Sequence, residues 1–275
     1  MPLKTIENID VAGKIVLVRC DFNVPIGEDG EISDISRIER HAPTIITLVN
    51  KGAKVALLSH FGRPGGKFDE KFSLGFISES ITEVFKASEV VVIPDCIGDV
   101  AKRVLSDLPN GGIALLENTR FYEGEEKNDE SFCKSLADLA DIYINDSFSI
   151  CHRAHASVHG ITKFLPSYAG LALQLEIEML EKVLENPEPP MMAIVGGSKV
   201  STKLKLLSNL VVKMKFLAIG GGMANTFLAA QGTNIGSSYY EKDMLDEAKK
   251  IMEKAKSVDC DIILPIDAVV ADKLE

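Results

Sequence analysis

The stretch Lys14-Ile15-Val16-Leu17-Val18-Arg19-Cys20-Asp21-Phe22-Asn23-Val24-Pro25 runs through the consecutive apolar residues Ile15, Val16, Leu17 and Val18 into a segment that carries Arg19, Asp21 and Asn23. A strand with one wet face alternates apolar and polar side chains, whereas a strand buried on both faces reads as an unbroken apolar run. Runs of the second kind recur at 54–58, 90–93, 113–116, 142–145, 191–195, 216–219 and 261–265. Helical patterns lie between most of them, as in Ile38, Ala42, Ile45, Ile46, Val49 and in Leu245, Ala248, Ile251, Met252, Ala255. Strand, helix, strand repetition predicts an α/β protein with parallel sheets covered on both faces.

The pattern divides after a helical stretch over 171–184, because Asn186-Pro187-Glu188-Pro189-Pro190 follows and successive prolines cannot continue a helix. The expected organisation is one lobe over 1–170, a connecting helix and hinge over 171–186, and a second lobe over 187–275. At 275 residues with 46% apolar and 25% charged side chains, the chain has the make-up of an ordinary globular protein. Its net charge of −10 argues against a nucleic-acid or anionic-membrane binder, so any anion is held locally. Five widely spaced cysteines without a C-x-x-C spell neither a disulfide framework nor a zinc pattern. With no secretory leader and no apolar run long enough to span a bilayer, a cytoplasmic setting is expected.

All seven arginines (Arg19, Arg37, Arg40, Arg63, Arg103, Arg120, Arg153) fall in the first lobe. A guanidinium grips carboxylate or phosphate with a planar fork, where lysine offers only a point charge. Arg19, Arg63, Arg120 and Arg153 end or follow expected strands, and Arg37 opens the first helix. Ligands of open α/β sheets bind beyond the carboxyl ends of the strands, so these residues are expected on one rim. His152, His155 and His159 invite a zinc reading at helical spacing, but no H-E-x-x-H or cysteine pair completes it, and anion binding beside Arg153 is favoured. Cys151 is read as a structural cysteine rather than a nucleophile.

The second lobe opens with Val195-Gly196-Gly197-Ser198-Lys199-Val200-Ser201-Thr202-Lys203. A strand, glycine turn and helix start present backbone N–H groups to an anion, with Lys199 and Lys203 expected four apart on one helical face. A further strand runs into Gly220-Gly221-Gly222, where glycines permit close approach to a flat ligand.

These pieces, in this order, resemble the phosphoglycerate kinase family. The carrying motifs are Arg19-Cys20-Asp21-Phe22-Asn23-Val24-Pro25, Ser59-His60-Phe61-Gly62-Arg63-Pro64, Leu115-Leu116-Glu117-Asn118-Thr119-Arg120-Phe121, His152-Arg153-Ala154-His155, the Gly-Gly-Ser-Lys-Val-Ser-Thr-Lys block, 220–224, and Leu264-Pro265-Ile266-Asp267. The resemblance implies two Rossmann-like lobes joined by a long helix and a hinge-bending monomer. The implied reaction is reversible phosphoryl transfer between 1,3-bisphosphoglycerate with Mg-ADP and 3-phosphoglycerate with Mg-ATP, a step of glycolysis. It further implies that Asp21, Phe22, Asn23, Arg37, His60, Phe61, Gly62, Arg63, Arg120, His152 and Arg153 bind the phosphoglycerate. Gly197, Ser198, Lys199, Lys203, Gly221 and Gly222 would bind the nucleotide, with Arg37, Lys199 and Lys203 acting on the transferred group.

Two departures stand out. Where the family has an Asp-Ala-Phe-Gly-type run, this chain reads Asp146-Ser147-Phe148-Ser149-Ile150-Cys151. Family members also continue past Glu275 with further strands and a Gly-Gly-Gly-Asp segment whose Asp binds Mg2+, so an incomplete second lobe without a protein metal ligand is expected. A non-catalytic phosphoglycerate-binding module is the alternative reading. A nucleotide-dependent oxidoreductase is disfavoured by Asn225 at the last position of a G-x-G-x-x-G pattern.

Overall fold

The structure, a computed structural model, describes residues 3–184, 187–269 and 271. The chain separates into two compact units, Met1–Glu181 and Lys182–Glu275. Residues 185 and 186 of the expected hinge, and 272–275 at the end of the resemblance, lie outside the described residues.

The first unit holds, in order, β1 (Ile15–Arg19), α1 (Ser36–Glu39), α2 (Ala42–Asn50), β2 (Lys54–Leu58), α3 (Ser78–Phe85), β3 (Val90–Val92), α4 (Gly98–Asp107), β4 (Ile113–Leu115), α5 (Glu123–Lys127), α6 (Glu130–Ala137), β5 (Ile142–Asn145), β6 (Ser167–Ala169) and most of α7 (Leu171–Leu184), whose residues from Lys182 on belong to the second unit. Its strands form one parallel sheet in the order β3-β4-β2-β1-β5-β6. Val16, Val18, Val55, Leu57, Ile142 and Ile144 point to one face, with Ile38, Ile45, Leu48, Ile81 and Phe85 from α1, α2 and α3. Leu17, Ala56, Leu58, Ala114 and Tyr143 point to the other, against Ala101 and Leu105 of α4 and Phe132 and Leu136 of α6. Both faces being buried accounts for the unbroken apolar strands.

Two details differ from expectation. The helical period over 38–49 is split into α1 and α2, because Pro43 sits at the start of α2 and has no N–H to donate to the turn before it. The strand β6 carries no apolar run; it exists by pairing with β5 at Tyr143, Ile144 and Asn145.

The second unit contains β7 (Met192–Gly196), α8 (Leu204–Val211), β8 (Phe216–Gly220), α9 (Gly222–Ala230), α10 (Leu245–Ser257) and β9 (Asp261–Ile263), with the strands parallel in the order β7-β8-β9. Val195, Leu217 and Ile219 pack on Leu207, Val211, Met223, Phe227, Ala248 and Ile251. Only this face of the sheet is covered by described residues of the unit. On the opposite face Ile194, Ala218 and Ile263 are in register, and Ile194 is 78% exposed.

Candidate active site

In the first unit, β1 sits between β2 and β5, and the loops leaving their carboxyl ends bring together residues far apart in sequence. Asp21, just past β1, links three of these segments. Its Oδ2 accepts from Arg37 Nη1 at 2.7 Å and from Ser149 Oγ at 2.8 Å, and its Oδ1 accepts from the Asn23 backbone N–H at 3.2 Å. Burial pushes the Asp21 carboxyl up, but the Ser149 hydroxyl and the Arg37 guanidinium outweigh it and hold the group below the usual carboxylate range.

Gly62 joins the next two loops. Its N–H donates to Asn23 Oδ1 at 2.9 Å and its carbonyl accepts from Arg120 Nη1 at 2.8 Å. The turn needs glycine, since φ is +60° and a Cβ would strike the ring of Phe72. Phe61, half-buried, packs on Phe72 and Phe76.

His60 is buried among cations. Arg19 Nη2 lies 3.0 Å from His60 Nδ1. Because a guanidinium only donates, Nδ1 accepts and the ring proton resides on Nε2. Burial, reinforced by the charges of Arg19 and Arg120, pushes the imidazole down to about 2, so at neutral pH it is an uncharged N–H donor. Arg120 is itself buried, with Glu126 3.2 Å from Nε. Arg153 adds its charge to this cluster and donates from Nε to His152 Nε2 at 3.1 Å.

Arg19 corrects the expectation of an exposed rim arginine. It is 1% exposed, donates to the Cys20 carbonyl, and donates from Nε to Ser157 Oγ at 2.9 Å. The Ser157 hydroxyl in turn donates a hydrogen bond to Glu125 Oε1 at 2.5 Å, and Glu125 is fully buried. Arg19 therefore backs His60 rather than facing solvent, and a buried acid balances it. The ring of Phe22 is fully buried, edge-on to His41, which leaves only its backbone near the rim. Arg63 is exposed and makes no hydrogen bond among the described residues.

The histidines of the considered zinc reading have separate neighbours: His155 Nδ1 is 3.9 Å from Glu125 Oε1 and His159 Nδ1 is 3.3 Å from Asn128 Nδ2. Sequence reasoning missed His41, Glu125 and Ser157 altogether. Nothing in local spacing marks them, since their partners lie 20 to 138 positions away.

In the second unit the two glycine turns pack on each other. Gly221 has φ +67°, and a Cβ there would lie 2.9 Å from the Gly197 carbonyl oxygen, which accepts from the Met223 N–H at 2.8 Å. The direct strand, glycine, helix passage is thus β8 to α9, with Gly221 as cap. The expectation that Lys199 and Lys203 share a helical face is corrected: α8 starts only at Leu204. Val200 is buried, the Lys203 N–H closes a turn on the Val200 carbonyl, and Glu241 holds the Ser201 N–H and hydroxyl, so 199–203 is a tight turn. Lys199 and Ser198 are exposed.

Comparison with known proteins agrees with this arrangement. The family model described as "Phosphoglycerate kinase" matches residues 6–275. The chain is 53% identical over 274 residues to a phosphoglycerate kinase of Caulobacter vibrioides, covering 100% of this chain and 69% of that protein. It is 55% identical over 273 residues to one of Chelativorans, covering 99% and 68%. The solved structure of phosphoglycerate kinase from Coxiella burnetii superposes with a TM-score of 0.85 at 40% identity, over 99% of this chain and 68% of that one. Matching motifs in order, a shared fold and half-identical relatives lead to one conclusion: the chain belongs to the phosphoglycerate kinase family.

Proposed function

We propose that the rim of the first unit binds 3-phosphoglycerate and that the glycine turns of the second bind the nucleotide. The family's enzymes transfer a phosphoryl group reversibly between ATP and a carboxyl acceptor. The observation that carries the site assignment is the cationic cluster around His60, where Arg120 and Arg153 join a neutral imidazole N–H and the Asp21 and Asn23 side chains. Such a set suits a small acid with a phosphate at one end and a hydroxyl beside its carboxylate. Asp21 and Asn23 take the hydroxyl and carboxylate end, while His60, Arg63, Arg120, His152 and Arg153 surround the anionic groups. Phe22, Phe61 and Gly62 border them.

Phosphoryl transfer asks the protein chiefly for alignment and for positive charge on the equatorial oxygens. Arg37, half-exposed and bonded only to Asp21 among the described residues, supplies it from the first unit. Lys199 supplies it from the second, with Lys203 on the nucleotide phosphates and Gly197, Ser198, Gly221 and Gly222 against the nucleotide. The attacking carboxylate is already ionised, so no general base is needed. Transfer requires the two bound substrates to meet, which is the work of a hinge about the connecting helix.

Magnesium enters with ADP or ATP as part of the substrate. The cations this chain itself brings to the transferred group are Arg37, Lys199 and Lys203. No helix of the described residues is long and apolar enough to cross a membrane. The substrates are small soluble anions, which fits a cytoplasmic monomer without nucleic acid.

Calorimetric titration with 3-phosphoglycerate, beside a coupled assay in both directions, tests the reading. Wild-type chain is expected to bind and turn over. Arg37→Ala is expected to cut turnover at least a hundredfold while nucleotide affinity stays. Equal loss of both rejects the role given to Arg37, and binding without turnover favours the binding-module alternative.

A further inference from the structure

Ser149 stands where the family resemblance has glycine, and its hydroxyl reaches the Asp21 carboxylate. A hydroxyl has one proton. That of Ser149 goes to Asp21 Oδ2, since a carboxylate can only accept, so in the 3.0 Å contact between Ser147 Oγ and Ser149 Oγ the donor is Ser147. The result is a directed chain from Ser147 to Ser149 to Asp21, and in such chains each bond polarises the next. Its far end is anchored: Ser147 is buried, and its N–H donates to Asn145 Oδ1 at 3.0 Å at the end of β5.

Arg37 competes for the same oxygen, at 2.7 Å, from a short helix and with a half-exposed side chain. Asp21 thus has one half-exposed charged partner and one anchored neutral partner on Oδ2, while Oδ1 is engaged only by the Asn23 N–H among the described residues. A nearly buried carboxylate that loses its sole charged partner pays the desolvation cost alone.

We propose that Ser149 is a positioning residue of this chain, which holds Oδ2 of Asp21 in place when Arg37 leaves it for the transferred group and keeps Oδ1 turned to the substrate hydroxyl. The inference rests on the roles given above to Asp21 and Arg37. Sharing one acceptor also loosens the hold on Arg37, so its release costs less than from a carboxylate it alone satisfies. The low-lying Asp21 carboxyl, to which the Ser149 hydroxyl contributes, accords with this.

The test uses the full chain with Ser149→Ala, Ser149→Gly and Ser149→Thr. Two quantities are read: the titration midpoint of the Asp21 carboxyl by carbon-detected NMR without substrate, and the affinity for 3-phosphoglycerate by calorimetry at neutral pH. Ala and Gly are expected to raise the midpoint and to weaken binding about tenfold, as loss of a hydrogen bond to a charged group does, and Thr to restore both. An unmoved midpoint in Ser149→Ala, unchanged affinity, or failure of Thr to rescue each overturns the proposal. A wild-type chain without affinity for 3-phosphoglycerate overturns the functional reading instead, and the substrate-free titration separates that outcome from failure of Ser149's role.

Discussion

His41 Nδ1 lies 2.7 Å from Oδ2 of Asp146, and both side chains are buried. The other ring nitrogen, Nε2, accepts from the Asp21 backbone N–H at 3.0 Å, so the ring proton is on Nδ1 and points at Asp146. Oδ1 of Asp146 accepts from Thr44 Oγ1 at 2.7 Å and from the Ala172 N–H at 3.0 Å. One carboxylate thereby ties α2, the end of β5 and the first turn of α7 to the backbone of the loop that carries Asp21. Gly170 makes room for it, since a Cβ there would collide with the carboxylate.

Asp146→Asn keeps the shape and breaks the chemistry. Its amide NH2 must face either His41 Nδ1–H or the donors Thr44 and Ala172, and turning the imidazole proton to Nε2 sets it against the Asp21 N–H. One buried donor is left facing a donor in every arrangement, which is expected to cost about 1–3 kcal/mol. A lowered urea midpoint, together with weaker 3-phosphoglycerate binding, checks this.

The buried His60 gives the first unit a pH dependence of known sign. Its pKa is depressed to about 2 in the folded protein, whereas in the unfolded chain it takes a proton near its ordinary value of 6.5. The unfolded state therefore binds more protons between those values, and the contribution of His60 to stability is present above pH 6.5 and lost as pH falls below it. The slope approaches about 1.4 kcal/mol per pH unit at its steepest. Urea unfolding at pH 7 and pH 5 should show the wild-type losing more stability than His60→Gln; parallel losses would contradict the assignment.

Arg19→Met tests the backing of His60. It removes the donor to His60 Nδ1 and to Ser157 Oγ while Glu125 keeps its two bonds from Ser157, and is expected to destabilise the unit by about 1–3 kcal/mol, as leaving buried acceptors unmet does. In the double variant Arg19→Met with Glu125→Gln the buried acid is gone too, and part of the loss should be recovered in a denaturation cycle.

The second unit offers a contrast between neighbouring glycines. Gly221→Ala forces a side chain into φ +67° and to 2.9 Å from the Gly197 carbonyl oxygen, and should destabilise by about 1–3 kcal/mol. Gly222 begins α9 with no positive φ, and its added Cβ would meet Ser198 at 3.4 Å. Gly222→Ala is expected to leave the unfolding transition in place and to weaken nucleotide binding, read by calorimetry with ADP.

The sequence by itself determined the α/β class, eight of the nine strands, and the family, because strands buried on both faces write themselves as apolar runs and the family's motifs are local strings. It also placed Asp21, Asn23, His60, Gly62, Arg120 and Arg153 on strand-end loops, since topology carries such loops to one edge. Only the tertiary structure decided what those residues do to one another. Whether Arg19 faces solvent or supports His60, and that His41, Glu125 and Ser149 stand behind the site, depends on contacts across 20 to 138 positions. The strand β6 and the turn before α8 were decided the same way, by a pairing edge and by Glu241, 40 positions from Ser201. Propensity and spacing act within a few residues, whereas burial and hydrogen-bond partners are set by which distant segments the assembled sheet brings side by side.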